Sequence, residues 1–106
     1  MTRWLAGAVT MGIAFAAFAH GNAFAGDVEL GKYLSEECVT CHQASGSASG
    51  GVPPIAGLPE DQFVALMNAY KQKQRDNPVM QTVAGHLSAD DIAALASYFG
   101  GLPRAQ

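Results

Sequence analysis

Cys38-Val39-Thr40-Cys41-His42 places two thiols three positions apart, with an imidazole directly after the second. That spacing is the attachment pattern of a c-type haem. The two thiols can add across the two vinyl groups of the porphyrin, and His42 can then offer a ring nitrogen to the iron as proximal ligand. A six-coordinate iron needs a second donor on the opposite face, and the chain beyond residue 25 offers Met67, Met80 and His86. Met67 falls in an apolar helical stripe, where methionine serves as core filling. His86 stands two residues before a helix start and reads as a solvated loop residue. Met80 follows Asn77-Pro78-Val79, in a stretch read as non-helical, where the backbone can turn a side chain inward. A thioether is a soft, neutral donor, and pairing it with histidine raises the reduction potential.

Other chemistries for the same residues fit less well. A Cys-x-x-Cys pair can be a thiol–disulfide site, but such a motif belongs beside a βαβ pattern, and none is found here. A tetrahedral zinc site needs two further ligands, and only His86 is spare among the His and Cys residues after residue 25. A disulfide between Cys38 and Cys41 closes too short a loop to stabilise much.

The elements that must position these groups read as helices. Asp27 is a candidate N-cap for a first helix running to about Glu37, with Val28, Leu30, Tyr33 and Leu34 largely on one face. Residues 43–51 are small and polar and predict an irregular loop. Val52 to Gly57 contains two adjacent prolines and cannot be helical. A second helix begins near Pro59, with Glu60 and Asp61 at its positive end and Phe63, Leu66, Met67 and Tyr70 at helical spacing. Asp76-Asn77-Pro78 stops it, and the run Lys71, Lys73, Arg75 reads as a solvated face. Ser88 and Asp91 resemble a capping box for a last helix whose buried stripe is Ile92, Leu95, Ala96 and Phe99. No stretch alternates with a period of two, so the expected fold class is all-α, with about three main helices around one haem.

The first 25 residues read as a separate segment. Arg3 precedes an apolar run from Leu5 to Ala19, and Ala23-Phe24-Ala25 is a small-x-small cleavage pattern, which predicts a signal peptide at 1–25 and a working domain at 26–106. The run is shorter than the roughly 20 apolar residues of a spanning helix, so no permanent membrane span is expected in the processed chain. The remaining 81 residues carry five basic and nine acidic side chains, a formal charge of −4, which excludes a basic nucleic-acid footprint. A domain near this size is marginal without a staple, below roughly 70–80 residues especially, and a buried haem supplies the missing apolar mass.

Taken together, these residues resemble a small class I c-type cytochrome across residues 27 to 101. The resemblance rests on the helix leading into Cys38-x-x-Cys41-His42, the Pro-x-Ile-x-Gly segment at Pro53 to Gly57, a Met before the final helix, and a last helix ending in Tyr98-Phe99. The segment Asn77 to Phe99 is most similar to the cytochrome subunit of sulfide-oxidising flavocytochromes and to domains of dihaem periplasmic electron carriers. The resemblance implies one haem c bound through Cys38 and Cys41, with Met80 as the sixth ligand opposite His42. It also implies that the Pro53 carbonyl bonds the imidazole, that Ile55 packs on the haem, and that Gly31, Tyr33 and Tyr98 or Phe99 form the crossing of the first and last helices. Periplasmic location follows from the same likeness. The expected role is one-electron transfer without catalysis of its own, to redox protein partners or within a flavoprotein-linked dehydrogenase.

Overall fold

In the computed structural model, which describes residues 26–43 and 51–104 with a few isolated positions before residue 15, four helices are present. The signal-peptide reading of residues 1–25, apart from those isolated positions, and the Gly/Ser segment 44–50 lie outside the described residues. Helix α1 spans Val28–Val39, α2 Glu60–Lys71, α3 Pro78–Gly85 and α4 Ala89–Gly100. No described helix is long and apolar enough to cross a membrane.

Each start has a local chemical cause. The Asp27 carboxylate accepts from the amides of Glu29 and Leu30 at 3.0 and 3.2 Å, which satisfies two of the four amides that a helix start leaves without partners. Ser88 and Asp91 form a reciprocal capping box: Asp91 N–H donates to Ser88 Oγ at 3.0 Å, and Ser88 N–H donates to Asp91 Oδ2 at 2.9 Å. Pro59 is the N-cap of α2, one position ahead of the first-turn place expected for it.

Helix α3 corrects the reading of the stretch around Met80 as non-helical. Asn77 and Pro78, expected only to stop α2, instead begin α3, since α2 already ends at Lys71. The Asn77 side chain accepts from Met80 N–H at 3.0 Å, and Pro78 occupies the first helical turn, where its missing N–H costs nothing. At eight residues the helix is too short for its periodicity to stand out beside the stop signal that precedes it. Among the described residues, the three main helices expected are thus joined by a fourth, short one, and the fold is all-α as expected.

Helix α4 is the spine, packed by α1 on one side and by α2 on another, while α3 packs on α2. Phe63, Met67, Ala84, Ile92, Leu95, Ala96 and Phe99 are buried together, and the rings of Phe63 and Phe99 stack with centroids 5.8 Å apart. The α1–α4 crossing depends on Gly31. A Cβ there would sit 2.1 Å from the Ala94 carbonyl oxygen and 2.8 Å from Tyr98 Cβ, so only hydrogen fits. Tyr33, also expected at the crossing, is 72% exposed, because the close approach places Gly31 against α4 and turns Tyr33 outward. Gly57 serves the other end of the spine. It adopts φ +76°, and its N–H donates to the Phe99 carbonyl at 2.8 Å, which ties the Pro-rich segment to the end of α4.

Candidate haem site

The last turn of α1 is wound on one carbonyl. The amides of Cys41 and His42 both donate to Cys38 O, at 3.2 and 2.7 Å, so both thiols and the imidazole emerge from one tight turn. The helix runs two residues past the expected end and includes Cys38. Burial raises the Cys38 thiol above its ordinary value, and the neighbouring Glu37 carboxylate adds to the rise. A thiol held protonated in this way is a poor thiolate nucleophile, which argues against a thiol–disulfide redox centre.

His42 Nδ1 lies 2.6 Å from the Pro53 carbonyl oxygen. A carbonyl only accepts, so Nδ1 carries the proton and Nε2 keeps its lone pair for a metal. This second partner fixes the ring's orientation and makes it a more basic ligand.

These groups face a cavity of about 660 Å³, within the range for cofactor pockets and lined mainly by apolar side chains. Cys38, Cys41 and His42 border it from the end of α1, and Pro53 and Ile55 from the Pro-rich segment. Phe63, Met67 and Leu95 border it from the core. Met80 and His86 border it from α3 and its C-cap. All the expected site residues, and all three candidates for the second axial donor, thus meet at one cavity. They differ in their settings. Met67 is 7% exposed, packed within the apolar cluster, while Met80 is half-buried at the start of α3 and His86 is exposed. An apolar slot with two thiols and a tautomer-fixed imidazole on its wall fits a covalently tethered haem.

Three bordering residues were read from the sequence as structural or solvated, with no role at the site. Tyr70, Arg75 and Asn77 edge the cavity where α2 gives way to α3. Arg75 read as part of a solvated helix face, but α2 ends at Lys71 and the chain turns back at Lys73, whose φ is +59°. Only a glycine at that position would have signalled the turn.

An all-helical shell closed around such a slot defines a haem-binding domain of the c type. The chain belongs to the cytochrome c family: the family model described as Cytochrome c matches residues 28–102. Its cofactor is accordingly haem c, bound through Cys38 and Cys41. It is similar to the thiosulfate dehydrogenase electron acceptor of Thiomonas intermedia, with 37% identity over 61% of this chain and 31% of that protein. It is also similar to the cytochrome subunit of sulfide dehydrogenase of Chlorobaculum tepidum, with 30% identity over 70% of this chain and 67% of the relative. Among solved structures, a thiosulfate dehydrogenase from Marichromatium purpuratum superposes with a TM-score of 0.68 at 34% identity, over 77% of this chain and 21% of that one. The chain spans about a third of the length of the thiosulfate-linked relative.

Proposed function

We propose that this chain is an exported one-electron carrier, with no catalysis of its own, whose haem iron is held between His42 and Met80. The observation that carries the reading is the 2.6 Å bond from His42 Nδ1 to the Pro53 carbonyl, which leaves Nε2 free at the wall of an apolar cavity. When bound, haem supplies the one-electron couple. The chain's own residues do the rest. Cys38 and Cys41 tether the macrocycle, and Pro53 holds the proximal ring in one tautomer. Ile55, Phe63 and Leu95 keep water from the slot. Asn77 fixes the amide of Met80, and so the start of α3, through its 3.0 Å bond. Held by His42 and Met80, the iron would offer no open coordination position to a substrate, and the protein's work would be to bury and tune the cofactor.

Partners on this reading are redox proteins that supply and remove single electrons. The likeness to a sulfide dehydrogenase cytochrome subunit supports a second form of the same role, the haem subunit of a periplasmic, flavoprotein-linked dehydrogenase. Co-purification with a larger redox subunit separates the two.

The test is the ferric optical spectrum of variants purified from a host that attaches haem. Met80→Ala loses the long-wavelength band of Met-ligated iron and its reduction potential falls, while Met67→Ala and His86→Ala keep the band. Loss of the band in either of the latter two, with Met80→Ala intact, reassigns the ligand.

A further inference from the structure

Helix α3 carries Met80 yet is short and sparsely anchored. Of its eight residues only Ala84 is buried. Val79, beside Met80, is 65% exposed. The α3 backbone closes on α2 and on no other helix among the described residues. By contrast, α4 buries six residues and packs against both α1 and α2. A helix that buries so little apolar surface opens locally at a small cost in free energy.

Two side-chain bonds fasten it from outside. In its first turn, Gln81 Nε2 donates to the Arg75 carbonyl at 2.8 Å, which ties the residue after Met80 to the link from α2. At the other end, the Lys71 ammonium donates to the Leu87 carbonyl. Lys71 is the last residue of α2, and Leu87 lies between the C-cap of α3, His86, and the N-cap of α4, Ser88. That bond therefore closes the end of α2 onto the joint where α3 turns into α4. The run Lys71, Lys73, Arg75 reads as a solvated face, but in the fold its first member spans two elements. The Asn77 cap acts only within the start of α3 and does not replace either tie.

We propose that Lys71 and Gln81 are positioning residues for the sixth ligand: their two bonds hold α3 closed and so keep Met80 at the iron. The proposal rests on the His42/Met80 reading above. An external base such as imidazole reaches the iron only in molecules whose Met80 has swung away. Its apparent dissociation constant is then the intrinsic one divided by the open fraction. Removing one of the bonds raises that fraction, and for a single hydrogen bond the change is about three- to tenfold.

The experiment is an imidazole titration of haem-loaded ferric wild type, Lys71→Leu, Lys71→Arg, Gln81→Leu and Lys73→Gln, followed by loss of the Met-ligation band. Absence of covalent haem or of that band in the wild type, or its survival in Met80→Ala, overturns the ligation reading itself. With that reading intact, Lys71→Leu and Gln81→Leu are expected to bind imidazole about three- to tenfold more tightly than wild type. Lys71→Arg keeps a donor, Lys73→Gln removes only a charge, and both stay near wild type. Thermal midpoints are read alongside. A lowered Tm with unchanged imidazole affinity assigns the two bonds to stability alone and overturns the proposal, as does equal tightening in Lys73→Gln. A second measurement needs no variant: hydrogen exchange in the ferric wild-type protein. The α3 amides, including the Gln81 N–H bonded to the Asn77 carbonyl at 2.9 Å, are expected to exchange faster than those of α4. Saturating imidazole should speed exchange in α3 and leave α4 unchanged. Equal protection of the two helices, or no response of α3 to imidazole, also overturns the proposal.

Discussion

Gly31→Ala tests whether the α1–α4 crossing is as tight as the backbone positions require. Inside a helix, Ala is preferred over Gly by about 1 kcal/mol, so propensity alone makes this change stabilising. Packing opposes it. The added Cβ would lie 2.1 Å from the Ala94 oxygen and 2.7 Å from the Ala94 carbonyl carbon. Since carbon–oxygen contacts settle near about 3.3 Å, the helices would have to part by roughly 1.2 Å. A backbone carbonyl cannot rotate away as a side chain can, which puts the cost near the upper end of the about 1–3 kcal/mol for overpacking. The net expectation is a loss of about 2 kcal/mol, a fall in Tm of roughly 8–16 °C for a domain of this size. The matched control is Gly85→Ala at the end of α3, where a Cβ would meet nothing within 4 Å. There propensity acts alone, and a gain of up to about 1 kcal/mol is expected. Thermal unfolding of the haem-loaded ferric protein, followed by far-ultraviolet circular dichroism, reads both. If Gly31→Ala is as stable as wild type, or if the two variants shift the same way, the crossing argument is wrong.

Two further changes address the connection between α2 and α3. Asn77→Ala removes the cap of α3 and the 3.0 Å partner of the Met80 amide, and is expected to cost about 1 kcal/mol in urea unfolding. The same variant should weaken the Met-ligation band without abolishing it. Lys73→Gly relieves the positive φ at the end of α2 and is expected to raise the guanidinium midpoint by an amount equivalent to about 1 kcal/mol. A destabilised Lys73→Gly protein would show that the lysine side chain contributes more than its strained backbone costs.

What the sequence revealed was what local chemistry determines. The Cys38-to-His42 pattern, the Asp27 cap and the Ser88–Asp91 box each involve groups within a few positions of one another, so spacing alone identifies them. The four buried residues expected in α4, Ile92, Leu95, Ala96 and Phe99, follow from a long amphipathic period and are buried as expected. The short α3 was hidden because Asn77-Pro78 reads equally as an end and a beginning. The placement of Arg75 depends on a left-handed lysine, which leaves no mark in composition. Tyr33 shows the limit of likeness as a guide: the glycine of the crossing lies where expected, and the nearby aromatic residue does not join it.

The most direct check on the account is the intact mass of the protein purified from a host able to attach haem c, measured with thiol alkylation. The account requires one added haem per chain and no alkylatable thiol, because Cys38 and Cys41 are both consumed in thioether bonds. A bare polypeptide mass with two alkylatable thiols would contradict it.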